Sequence, residues 1–203
     1  SSFTMHMVMQ PGAFPYLDHN HYHADLDPWD AVEQVDTENP NAFMLSTPRT
    51  GRTTEHAEAV TVMAYMPYGE VAQWEGSHNT VASPGIRGDG YEEFKERKGE
   101  RLLTAVERRF PGISSGVRAV HCCTPLTFRD YVGACDGTLY GILKDARDPL
   151  RTFLPPRTKV PNLLLTGQNI NLHGMLGVTV SAVVTCSELL GKRYLVEKIG
   201  KSS

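Results

Sequence analysis

The stretch Asn162-Leu163-Leu164-Leu165-Thr166-Gly167-Gln168-Asn169-Ile170-Asn171-Leu172-His173-Gly174-Met175-Leu176-Gly177-Val178 decides how the chain is read. Leu163–Thr166 is an unbroken apolar run, the pattern of a strand buried on both faces of a parallel sheet. It ends at Gly167, and Gly174 and Gly177 precede a long apolar segment, Val178–Leu190. There Val178, Val180, Ala182 and Val184 alternate with Thr179, Ser181, Val183 and Thr185, a period that suits a strand. The length of the segment and the closing Gly191-Lys192-Arg193 instead predict a helix, because glycine and cations are C-terminal helix signals. Strand, glycine loop and helix form a ligand cradle: Gly167 allows close backbone approach at a sheet edge, and the helix N-terminus favours negative charge. The same pattern describes a strand and helix that merely pack closely through glycine. Spacing alone leaves both readings open.

Working outward, composition bounds the answer. The 203 residues are 40% hydrophobic, enough for a core, and exclude a disordered or fibrous chain. A formal charge of −3 gives no basic footprint for nucleic acid. No run reaches the roughly 18–20 apolar residues of a membrane span. Cys122 and Cys123 are adjacent, Cys135 and Cys186 lie apart, and no C-x-x-C occurs, so neither a disulfide framework nor a thiolate zinc site is expected. A cytoplasmic location follows as the default. The first residue is not Met, and Phe3–Met9 already reads as a strand; we expect a piece of a longer enzyme.

The first two-thirds predict an α+β unit. Phe43–Thr47 and Val60–Met66 are β-rich runs joined by the turn-like Pro48–Thr54, an antiparallel pair whose second strand could be partly covered on both faces. Residues 75–90 hold four glycines and a proline and predict a mobile loop. Tyr91–Phe110 predicts an amphipathic helix stopped by Pro111-Gly112, and Val117–His121 a further strand. Thr124–Gly141 is rich in glycine and aromatics.

Asn162–Glu188 closely resembles the C-terminal flavin-binding segment of the phytoene desaturase, carotenoid isomerase and retinol saturase family, nearest the retinol saturase type. Thr124-Pro125-Leu126-Thr127-Phe128-Arg129-Asp130-Tyr131, followed by Gly137-Thr138-Leu139-Tyr140-Gly141, resembles it too, as does Phe43-Met44-Leu45-Ser46-Thr47-Pro48. The resemblance implies three parts: a substrate-binding domain with a mixed or antiparallel sheet over 1–158, the last strand and helix of a Rossmann-like FAD-binding domain over 159–191, and a tail over 192–203. It also implies that FAD is the cofactor, with NAD(P)H a candidate electron donor. Gly167 and Gln168 would lie near the ribityl–pyrophosphate region, Gly174, Met175, Leu176, Gly177 and Val178 would face the flavin ring, and Asn169 is a further cofactor-binding residue. The implied activity is hydride transfer that saturates or desaturates carbon–carbon double bonds of an apolar polyene or isoprenoid lipid. A redox-neutral isomerase and a non-catalytic lipid-binding or interaction module are the alternatives.

Two departures qualify this. Many members of the wider superfamily carry an acid where this chain has Gln168, and the chain has no G-x-G-x-x-G after an N-terminal strand. The missing FAD-binding half becomes an expected partner, and the isolated piece is expected to be inactive. The orphaned strand and helix are expected to be disordered, to re-pack on the sheet, or to self-associate, since large apolar patches rarely stay exposed. Peripheral membrane contact is a further candidate.

Met5, Met7, Met9, Met44, Met63 and Met66 could line a lipid channel or simply fill a core. His19, His21 and His23 alternate as metal ligands would on one strand face, yet loop histidines are commonly solvated. His173, Tyr140 and Arg129-Asp130 are candidates for proton chemistry near a flavin, and no pairing among them is visible in the sequence. Catalytic residues therefore stay unassigned, and no metal is expected. Cys122-Cys123 reads as buried rather than reactive.

Overall fold

Alternation of large apolar residues with Thr and His over Phe3–Met9 demands a strand with one covered face. The computed structural model, which describes residues 1–49, 55–170 and 172–201, has β1 at Ser2–Met9. Residues 50–54 of the expected turn, and Asn171, lie outside the described residues. The chain divides into two compact units, residues 1–139 and 140–203.

The first unit is an antiparallel five-stranded sheet with helices. Its strands β1, β2 (His21–Ala24), β3 (Ala42–Ser46), β4 (Ala59–Tyr65) and β5 (Val117–Cys123) lie in the order β2-β3-β4-β1-β5. Helix α1 spans Pro28–Glu33 and α2 spans Asp89–Arg109. The expected β3–β4 pair is present, with Phe43 opposite Ala64 and Leu45 opposite Val62. Met5, Met7, Val60, Val62, Leu45 and Phe43 turn to one face and form the core with Tyr91, Phe94, Leu102 and Val106 of α2. Gly99 of α2 comes so near β5 that a Cβ there would sit 3.1 Å from Cys122 Sγ. The Cys122 thiol is pushed up to about 11 by burial, which makes it inert at neutral pH.

The strand period also settles the methionines. Met5, Met7, Met9 and Met66 are buried in the core, whereas Met44 and Met63 lie opposite each other on the second face. The six therefore do not line one channel, because residues one apart on a strand point to opposite sides. The cover expected on both faces of Val60–Met66 is present but unequal: Val60, Val62 and Ala64 are buried, and Ala59, Thr61 and Met63 are partly buried. The second face is covered at Ser2 and Thr4, which are buried, and open at Tyr22 and Tyr65, which are exposed.

The Gly- and aromatic-rich stretch Thr124–Gly141 has a regular element the pattern does not announce. It holds α3, Pro125–Val132, which Thr124 caps: its Oγ1 accepts from Leu126 N–H at 3.2 Å, while Thr127 Oγ1 accepts from Thr124 N–H at 3.3 Å. This reciprocal box, with Pro at the first helical position, fixes the helix start. Helix α3 then aims Asp130, whose side chain is 0% exposed, at the 75–88 loop. Asp130 accepts from Asn79 N–H at 2.7 Å, from Arg129 Nε at 2.8 Å and from Arg87. Arg129 Nη1 donates to Glu75 O at 2.6 Å, and Tyr131 Oη accepts from Val81 N–H at 2.9 Å. The loop expected to be mobile is tied at Glu75, Asn79, Val81 and Arg87, and Arg129-Asp130 is a structural clamp rather than a proton-transfer pair.

Burial alone would raise the Asp130 carboxyl. The Asn79 N–H, the Arg129 bond and the charges of Arg87 and Arg129 outweigh it and hold the group below the usual carboxylate range. Since the folded chain binds this proton more weakly than the unfolded one, the clamp's contribution is complete above about pH 4 and is lost as pH falls through the folded value. Asp130→Ala strands two guanidiniums in a nearly dry site and is expected to cost about 3–5 kcal/mol. Asp130→Asn is expected to flatten the loss of stability with acid, read by urea unfolding from about pH 3 to 7.

Candidate functional site

The second unit, residues 140–203, contains the stretch that opened the reading. The apolar run Leu163–Thr166 predicts a buried strand, but the chain is extended there with a single bridge, Arg157 to Leu164, and Leu163 and Leu165 are exposed. A central parallel strand needs hydrogen-bonding neighbours on both sides, and the described residues of this unit supply only the short antiparallel bridge to Arg157. The expected helix is present as α4, Gly174–Leu190, beginning four residues earlier than Val178. The segment read as a tail carries α5, Lys192–Gly200, and Gly191 at φ +85° turns the chain between the two helices.

The glycines act where the backbone needs them. Gly167 and Gly174 hold φ +102° and +76°, the left-handed region that favours glycine. Gly177 lies in the first turns of α4, and a Cβ there would meet Leu172 O at 2.4 Å. The helix therefore presses directly on the Leu172 backbone. Gly141 makes a second such approach, its Cβ position lying 2.7 Å from both Asn169 Oδ1 and Gln168 O.

The turn between them is organised by polar contacts. Lys144 Nζ donates to Thr152 O at 2.9 Å, Asn169 O at 3.0 Å and Ile170 O at 3.2 Å. Asn169 Oδ1 accepts from Ile142 N–H at 3.0 Å. Ser181, fully buried on α4, accepts from Gly167 N–H at 3.1 Å, and Thr185 Oγ1 donates to Leu165 O at 2.8 Å. Arg157 Nε donates to Glu188 Oε2 at 3.0 Å. Sequence reasoning missed Lys144, Ser181 and Thr185. The hydroxyls' only signal was the polar positions in an otherwise apolar helix, and the lysine had none.

The eight expected cofactor residues separate accordingly. Gly167 uses its N–H within the unit and Asn169 uses its side-chain oxygen there, so both shape the turn. Gln168 is partly buried, and no side-chain hydrogen bond is formed by it among the described residues. Met175 is 91% and Leu176 78% exposed at the start of α4, with Val178 half-exposed, while Gly177 is buried against the chain. His173 is the N-cap of α4 by its backbone, and its side chain makes no capping bond. Its ring lies against Tyr140 with centroids 4.4 Å apart. The structure thus joins two residues that the sequence presented separately.

The histidines of the first unit do not converge. His19 and His21 rings stack at 4.6 Å, whereas His23 contacts Asp25 at 3.1 Å and packs on Phe43. Among the described residues no group of three or more His, Cys, Asp or Glu side chains could hold a metal ion. No helix among them is long and apolar enough to cross a membrane.

Two substitutions test this construction. Gly177→Ala must push α4 off Leu172 and is expected to cost about 1–3 kcal/mol. Lys144→Met removes one charged donor from three carbonyls and is expected to cost about 1.5–3 kcal/mol. Hydrogen exchange should show faster exchange at 163–185 in both variants, with β1, β4 and β5 unchanged.

Comparison with known proteins gives a consistent set of names. No protein-family model matches the chain. It is 34% identical over 114 residues to the all-trans-retinol 13,14-reductase of Homo sapiens, covering 55% of this chain and 18% of that protein. The protein of the same name in Rattus norvegicus is 33% identical over 114 residues, covering 55% and 19%. That of Danio rerio is 27% identical over 170 residues, covering 80% and 27%. The chain thus spans between 18% and 27% of these relatives' lengths, and over the matched part it is similar to proteins named all-trans-retinol 13,14-reductase.

Proposed function

We propose that the chain is part of an FAD-dependent oxidoreductase that saturates a carbon–carbon double bond of an apolar polyene or isoprenoid lipid. In this reading residues 1–139 belong to a substrate-binding domain, and residues 140–203 contribute a strand-like segment and helix to a flavin-binding domain. The observation that carries the flavin part is the start of α4. There the first helical N–H groups lack intrahelical acceptors, and the flanking Met175 and Leu176 stand bare.

The residues present fit a flavin in kind. FAD, when bound, supplies the hydride donor and acceptor. The N-terminal turn of α4 would face the ring edge that becomes negative on reduction and so favour the reduced form. Met175, Leu176 and Val178 would cover the ring and exclude water. Gln168, with its amide uncommitted, would bond the ribityl hydroxyls. Gly167, Asn169 and Lys144 would hold the turn without touching the cofactor. An apolar substrate suits the open part of the second face of the sheet, where Tyr22 and Tyr65 are exposed and Met44 and Met63 partly so. NAD(P)H is the candidate source of electrons.

Purified from its full reading frame, the protein is expected to carry yellow FAD absorbance and, when supplied with reductant, to add two hydrogens to a retinol-type polyene, read by mass. A new isomer at unchanged mass would instead assign the isomerase reading, and absence of flavin would sink both. Met175→Glu, which puts a carboxylate where the ring gains negative charge, is expected to lower the flavin midpoint potential.

A further inference from the structure

Saturating a double bond requires a proton as well as a hydride, and the motifs offer several donors. The structure removes most of them. Asp130 and Arg129 are locked in the buried clamp, and Tyr131, whose Oη accepts from Val81 N–H, is tied to the 75–88 loop. Tyr140, as exposed as Tyr131, differs in that no hydrogen bond is formed by its hydroxyl among the described residues.

Its placement is nevertheless fixed. The next residue, Gly141, is wedged against Gln168 and Asn169, and Ile142 N–H is bound by Asn169 Oδ1. These contacts pin the Tyr140 backbone to the turn that leads into α4. The ring then rests on His173, at 4.4 Å between centroids and 41° between planes. His173 immediately precedes Gly174 and Met175, and its imidazole is not spent on capping the helix. Backbone wedge and ring contact together hold a phenol beside the first turn of α4.

The geometry points to Tyr140 as the catalytic acid of the reduction, with His173 as the positioning residue beneath it. This rests on the reading of the chain as part of a flavin-dependent reductase. Hydride from reduced flavin, a two-electron donor, forms a C–H bond at one carbon of the double bond. The phenol O–H breaks and its proton forms a C–H bond at the neighbouring carbon as the π bond is lost. The flavin ends oxidised, and the phenolate regains a proton from water.

The test uses the full-length flavoprotein and the 203-residue chain. Tyr140→Phe is expected to keep FAD and to slow double-bond reduction on the order of 10²–10⁴-fold, the usual worth of a positioned acid. In deuterated water the wild type is expected to place one deuterium on a single face of the product, and Tyr140→Phe to scramble that face. His173→Phe, which keeps a ring under Tyr140, is expected to preserve the facial selectivity, and His173→Ala to lose it. On the chain alone, Tyr140→Leu is expected to shift the His173 imidazole proton resonances by removing the tyrosine ring current. A Tyr140→Phe enzyme with wild-type rate and wild-type facial selectivity would overturn the assignment. A His173→Ala enzyme with intact selectivity would overturn the positioning role. A wild-type protein that neither binds flavin nor reduces a polyene would instead overturn the reading on which the proposal rests.

Discussion

The Lys144 ammonium is the interaction on which the C-terminal unit depends. Among the described residues of that unit Ile170 is the one large apolar side chain fully withdrawn from water, at 3% exposure. Hydrophobic burial of that size cannot order some sixty residues, since each costs about 1–2 kcal/mol in backbone entropy alone. Order comes instead from side chains bonded to backbone: Lys144 to three carbonyls, Ser181 to Gly167, Thr185 to Leu165, Arg157 to Glu188. Such bonds are directional. They fix the path of a turn without asking for a core around it.

The two units are therefore built on opposite terms. In residues 1–139 a sheet and the long helix α2 share an apolar core, and the ionic clamp at Asp130 is secondary to it. In residues 140–203 polar contacts make the frame, and the apolar residues Leu143, Leu172, Met175 and Leu176 face outward. An apolar surface on a polar frame is suited to receive an apolar ring or another domain, which is the use made of it in the proposed function. The contrast also explains why α4 needs glycine at 177: with little else pressing it down, direct backbone approach brings the helix onto the turn.

How much of this could be read from residues alone depended on range. The strands around Met5, Leu45 and Val62 and the helix over Tyr91–Arg109 were legible because period-2 and period-3.6 patterns are local and the core fills them uniformly. The strand at Leu163–Thr166 misled because an apolar run states what it would bury, not whether neighbouring strands are there to bury it. Helix α3 was hidden by the glycines and aromatics around it, although Thr124-Pro125 was a start signal in plain view. At the site, Gly174 and Gly177 were legible as devices for close approach. Lys144 was not, since three carbonyls separated by up to eighteen positions meet at its tip only through tertiary structure. The Tyr140–His173 contact was hidden for the same reason.

The cysteines divide along the same lines as the structure. Cys122 and Cys123 sit on an extended strand, their side chains point to opposite faces, and burial raises both thiols. Cys135 and Cys186 are exposed, one in each unit. A maleimide reagent near neutral pH should therefore find two positions and spare the other two. The protein carries, without alteration, a matched pair of attachment points for a donor and an acceptor dye. The distance between its two units can be followed by energy transfer as flavin, reductant or polyene is added.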